Sequence, residues 1–124
     1  MLERFHVDKK IAVSVSKQKM KTTVEQIFLK IGFNKKDAKQ ATDVLIYSDI
    51  RGIESHGVSN MLREYVKSAN DGGINTNPKW KITKDFNAVC SINSDQGLGL
   101  VVGPHGMKEA IKRAKKFGIG AVNV

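Results

Sequence analysis

The sequence predicts an α/β fold, with α+β as the nearest variant, and three observations carry that reading. Apolar residues recur at spacings of three and four in successive stretches up to residue 70. Two short alternating runs, residues 79–83 and 88–93, then read as strands. A last helical period ends at Gly118 and leads into an apolar run over residues 119–124. Helices first, then strand–helix–strand, is the order of a mixed α/β domain rather than of a bundle or an all-β sandwich.

The first fifteen residues show no clear period, although Ala12-Val13-Ser14-Val15 suits a short strand. His6 has no partner in sight and is expected at the surface. From Lys17 the pattern turns helical, with Met20, Val24, Ile27, Phe28 and Ile31 on one face. Ser16 fits the N-cap and Gly32 a left-handed stop. Asn34, with Asp37 three residues later, has the form of a capping arrangement for a second helix. That helix runs to about Asp49 and buries Ala38, Ala41, Val44, Leu45 and Ser48, whose small members imply close packing. A third helix spans about residues 58–70, striped by Met61, Leu62, Tyr65, Val66 and Ala69, and Gly72 and Gly73 end it.

Asn75-Thr76-Asn77-Pro78 reads as a loop, and the two strands after it join around Lys84-Asp85-Phe86-Asn87 as a hairpin. Trp80 and Ile82 share one face of the first strand. In the second, Val89, Ser91 and Asn93 alternate with Ala88, Cys90 and Ile92, the pattern of a strand covered on one side. Pro104 suits the first turn of a fourth helix. Its buried stripe is Met107, Ala110, Ile111, Ala114 and Phe117, with Lys and Arg opposite, and His105 reads as a surface ring. The chain thus divides into an N-terminal extension (1–15), a helical region (16–75) and a strand–helix–strand region (76–124).

At 124 residues the chain is long enough for a real core, and 40% hydrophobic with 6% aromatic residues is ordinary for such a fold. The net charge of +9 raises nucleic-acid binding as a reading. The lysines are spread along helical faces, however (Lys17, Lys19, Lys21, Lys30; Lys35, Lys36, Lys39; Lys108, Lys112, Lys115, Lys116), with few aromatics among them. No RNA-binding signature or zinc-finger spacing accompanies them, so solvated faces account for most of the charge, nucleic acid is the lesser reading, and no residues are assigned to a metal. No apolar run reaches membrane-spanning length, and the first fifteen residues are too charged for a secretory leader. Cys90 is the single cysteine and reads as a buried thiol in a reducing cytoplasm.

The run Asp49-Ile50-Arg51-Gly52-Ile53-Glu54-Ser55-His56-Gly57-Val58-Ser59-Asn60 carries the chemistry. It sits between two helices and places His56 at the mouth of one, in an expected pocket, with a glycine beside it where a small ligand could approach the backbone. Helix-start N–H groups favour an anionic ligand there, such as a carboxylate-bearing substrate. The bland reading of Ser55 and His56 is a helix cap plus a solvated ring. Gly97, Gly99 and Gly103 before the fourth helix invite a dinucleotide reading, but the third glycine is one place late, Val102 standing at the required position. Glycines that let the chain turn tightly into a helix are the competing account.

With those segments in order, the sequence resembles the malate/L-lactate dehydrogenase family. These are NAD(P)-dependent 2-hydroxy-acid oxidoreductases, a group that also holds ureidoglycolate, sulfolactate and diketogulonate enzymes. The resemblance runs from about Met20 to Val124 through residues 49–58, Asp71-Gly72-Gly73-Ile74-Asn75, Asp95-Gln96-Gly97-Leu98-Gly99 and Gly118-Ile119-Gly120-Ala121-Val122. It implies a homodimer with a cofactor fold unlike the common Rossmann type, using NAD or NADP. His56 would take the hydroxyl proton as hydride leaves, and Ser55 would orient substrate or ring. Most nicotinamide contacts, and a second family histidine, would follow Val124. The chain is therefore expected to be the N-terminal portion of a longer enzyme, inactive alone. Many members place a carboxylate-gripping arginine five residues after the serine, where this sequence has Asn60. Asn60, Arg63 or Arg51 would then contact the substrate carboxylate. The alternative is a non-catalytic fragment that acts as a dimerisation or basic nucleic-acid-binding module.

Overall fold

The computed structural model describes residue 8 and residues 10–124. His6 lies outside them. Residues 12–15 form no strand; Val13 and Val15 stand exposed, since no neighbouring edge offers them a ladder.

Helix α1 (Lys17–Lys30) buries Val24 and Phe28. Ser16 precedes it but caps through its carbonyl, which accepts from Met20 N–H at 2.9 Å, and not through its hydroxyl. Gly32, at φ 106°, stops the helix and folds Phe33 back edge-on to Phe28, with ring centroids 5.4 Å apart. Helix α2 (Lys35–Ile50) starts as its sequence proposes: Asn34 accepts from the N–H groups of Lys36 and Asp37 and donates to the Asp37 carboxylate at 2.7 Å. It buries Ala38, Ala41, Thr42, Leu45 and Ile46, while Val44 and Ser48 are only half-buried. Ala38 and Ala41 let α1 lie close, and Asp43 pairs with Lys21 across the two helices. Helix α3 (Arg63–Asn70) continues a π-helical turn, Val58–Leu62.

The sheet has the order β1-β2-β3. Strand β1 (Lys81–Phe86) pairs antiparallel with β2 (Val89–Asn93), with an irregularity between Ile82 and Lys84. The first strand extends three residues further than the alternation indicates, and the connection is Asn87-Ala88, with Asn87 at φ 61°. Cys90 and Ile92 are buried and Val89 and Asn93 exposed, as a one-sided strand requires. Strand β3 (Ala121–Asn123) pairs parallel to β2, which demands a crossover, and helix α4 (Gly99–Phe117) supplies it. The fold class is α/β.

Helix α4 begins at Gly99, so Pro104 lies more than one turn inside it rather than in its first turn. Its buried residues are Val101, Val102, Gly106 and Arg113; of the expected stripe, Met107, Ile111 and Phe117 are exposed and Ala110 and Ala114 half-buried. The reason is positional. Leu98 and Val101 join Val24, Phe28, Phe33, Ala38, Ala41 and Leu45 in the core. Further along, α4 lies over the sheet, with Gly106 against Val124 and Val122. Arg113 turns inward: Nη1 and Nη2 grip both Asp85 oxygens at 2.7 and 3.0 Å, Nη1 also donates to Asn87 O, and Nε donates to Glu109 at 3.1 Å. That bidentate fork ties the hairpin to α4 and holds the Asp85 carboxyl below the usual carboxylate range. His105 is half-buried against Trp80, centroids 5.3 Å apart, rather than a free surface ring. No helix of the described residues is long and apolar enough to cross a membrane.

Candidate active site

The last turn of α2 sets the path of the residues beyond it. Gly52, at φ 69°, ends the helix, and Ile53 N–H returns to Ser48 O at 2.9 Å, satisfying a terminal carbonyl. A single 3-10 turn, Glu54–His56, comes next, with His56 N–H bonded to Ile53 O at 3.0 Å. Gly57 is buried and extended, and the π-helical turn begins at once.

Ser55 and His56 are brought together: Ser55 Oγ lies 2.8 Å from His56 Nδ1. Ser55 is half-buried and the His56 side chain exposed. The contact engages Nδ1 and leaves Nε2 on the other edge of the exposed ring. Among the described residues, the cavities of about 310, 380 and 240 Å³ are lined by other residues, and His56 is exposed.

Asp49, to which the spacing of residues assigns no role, is central here. Its Oδ2 accepts from Val58 N–H at 3.1 Å, and its carboxylate occupies the space beside Gly57 where any Cβ would overlap Oδ1. Gly57 is thus a glycine because a carboxylate of the same chain approaches it. The anion-seeking N–H at this helix start is likewise already satisfied from within. An acidic residue ending one helix, with a glycine just before the next, is the signal that could have found the pair.

The three carboxylate-gripping candidates fare differently. The Arg51 guanidinium stacks over the Tyr47 ring, 3.5 Å from its centroid. Asn60 is half-buried and its Nδ2 donates to Ser59 Oγ at 3.3 Å. The Arg63 side chain is 84% exposed, and its Nε donates to Glu64 Oε1 at 3.4 Å.

The glycine loop before α4 serves the fold. A Cβ on Gly97 would press on Val102, Pro78 and Ser94 O, all closer than 3 Å, while Asp95 Oδ2 accepts from Asn75 Nδ2 and Lys79 N–H. The loop clasps residues 75–79, and Gly97 is a glycine because the chain packs against it, while Gly99 and Gly103 lie within α4 with open space beside them.

The sequence profile of the malate/L-lactate dehydrogenase family matches residues 15–124, nearly the whole chain. The chain belongs to this family. Its relatives include a malate dehydrogenase of Pyrococcus horikoshii, 39% identical over 98% of this chain and 33% of the relative. The solved structure of that enzyme superposes with a TM-score of 0.87 over 94% of this chain and 33% of its own. An L-sulfolactate dehydrogenase of Methanocaldococcus jannaschii is 38% identical over 82% of this chain and 29% of the relative. A malate dehydrogenase structure from Entamoeba histolytica, 34% identical, gives a TM-score of 0.83 over 89% of this chain and 30% of its own. The chain spans about a third of the length of these relatives.

Proposed function

We propose that the chain supplies the acid–base site of an oxidoreductase that interconverts a small, malate- or L-lactate-like 2-hydroxy acid and its 2-oxo acid. Family membership and the dehydrogenases among the relatives support the reaction class. The Ser55–His56 contact is the observation that carries the site. In oxidation His56 Nε2 accepts the hydroxyl proton as the carbon loses hydride; in reduction the imidazolium returns it. Nδ1–H then donates to Ser55 Oγ, which sets the tautomer and steadies the charged ring. The hydride partner that the resemblance implies is NAD or NADP. Arg63, whose Nε pairs with Glu64, and Arg51, stacked on Tyr47, are the guanidinium candidates for the substrate carboxylate, with Asn60 as a neutral donor near them in sequence.

In this reading residues 16–75 form the helical region that carries Ser55 and His56, and residues 76–124 begin the sheet region. A homodimer and a cytoplasmic setting belong to the same proposal; exposed apolar side chains on α4 and the sheet support association, and the buried thiol of Cys90 suits a reducing compartment.

In the dehydrogenase carrying this chain, His56→Ala should lower turnover by roughly 10²- to 10⁴-fold. Unchanged turnover would remove His56 from the proton-transfer role.

A further inference from the structure

We propose that Asp49 is the positioning residue for His56: its carboxylate, bonded to Val58 N–H and seated against Gly57, pins the turn that aims the imidazole. The inference rests on the acid–base reading of His56. Among the described residues, the turn from Gly52 to Val58 is tied back to neighbouring residues of α2 at both ends, with Gly52 N–H to Asp49 O adding to the main-chain tie at its start. Ile53 N–H bonds Ser48 O, and Val58 N–H bonds Asp49 Oδ2. His56 lies between them, its own N–H returned to Ile53 O. The anchor at Val58 is made by a side chain, so it is the one a substitution can release. The Ser55 hydroxyl cannot take this part, because a contact between adjacent residues orients the ring only relative to its own turn.

The seat is built from both sides. Gly57 offers no Cβ, and any other residue there would displace the carboxylate. Behind Asp49, α2 is held in the core by Leu45 and Ile46, buried to 0% and 5% exposure, so the anchor has a rigid base. Without the carboxylate the turn keeps its first anchor and loses its last, and the imidazole moves with the freed end.

The test uses the 124-residue chain and reads the His56 ring nitrogens by ¹⁵N NMR alongside amide hydrogen exchange. Asp49→Ala should speed exchange at Val58 about tenfold, the effect of losing one hydrogen bond, and leave Leu45 unchanged. It should also replace the wild-type ring pattern with an averaged one. Asp49→Asn, whose amide oxygen still accepts from Val58 N–H, should restore both signals. Wild-type ring signals in Asp49→Ala overturn the proposal, as does equal acceleration at Val58 and Leu45, the mark of a purely stabilising cap. If Asp49→Ala does not fold, Asp49→Ser, too short to reach Val58, is read identically; ring signals lost only together with the fold also overturn it. A His56→Ala enzyme with undiminished turnover would sink the acid–base reading, while the ring and amide signals would still judge Asp49.

Discussion

Arg113 is the side chain on which the two ends of the sheet region depend, because it is 7% exposed and a buried guanidinium must find its partners within the protein. Asp85, Asn87 O and Glu109 satisfy its fork, and its proton is held more firmly than in a free guanidinium, chiefly by the Asp85 hydrogen bonds. The linkage has a definite sign. Asp85 is depressed in the folded state, so the native chain binds fewer protons there than the unfolded one. Its contribution is complete above the ordinary aspartate value, about 3.9, and is lost as pH falls from there through the depressed value. Acid titration followed by circular dichroism should therefore show an unfolding limb in that window, and Asp85→Asn should flatten it. At the other site, Gly57→Ala forces a methyl group onto the Asp49 carboxylate and should cost about 1–3 kcal/mol in urea unfolding. A neutral result would mean that Asp49 can leave its seat freely. For substrate binding, Arg63→Ala should raise KM about 10- to 100-fold, the span of one charge-assisted contact, with kcat little changed.

At the scale of elements, the first two helices are legible in the sequence and the fourth is not. Asn34 and Asp37 form a local code that needs no tertiary partner, and the structure realises it bond for bond. Asn34→Ala should cost about 1 kcal/mol, measured by thermal or urea unfolding. Phe28, fully buried and edge-on to Phe33, should cost about 3–5 kcal/mol when cut to alanine. The period in α4 marks a helix correctly, yet it points to Met107, Ile111 and Phe117 as the buried face. A repeat of three and four marks a helix face without saying whether that face finds a partner. Here Gly106 and Arg113 make the inward contacts, one because it has no side chain and the other because two carboxylates neutralise it. The hairpin turn lies later than the alternation suggests for a related reason: Asn87 tolerates the left-handed turn, which lets Asp85 and Phe86 stay in the ladder.

Over the whole molecule, among the described residues, one core joins α1, α2 and the start of α4, while apolar side chains stay exposed on both sides of it. Phe86, Met107, Ile111, Ile119 and Val124 are between 49% and 70% exposed on the sheet side, and Ile11, Val13, Tyr47 and Ile50 are exposed on the helical side. Exposed apolar side chains on this scale drive association. Sedimentation velocity should show the chain self-associating as its concentration rises, and Met107→Lys with Ile111→Lys should weaken that association. A concentration-independent monomer would show that these residues are simply tolerated in water.

By itself the sequence determined the start of α2 at Asn34, the stops at Gly32 and Gly118, the one-sided second strand, the α/β class and the family, because each rests on local spacing or on an ordered set of short motifs. It also singled out Ser55 and His56 as the candidate chemical centre. Only the tertiary structure decided that Asp49 fills the gap beside Gly57, that Arg51 stacks on Tyr47, and that Arg113 faces inward. Those outcomes depend on which groups meet across turns and between elements, and a linear pattern carries no record of such meetings.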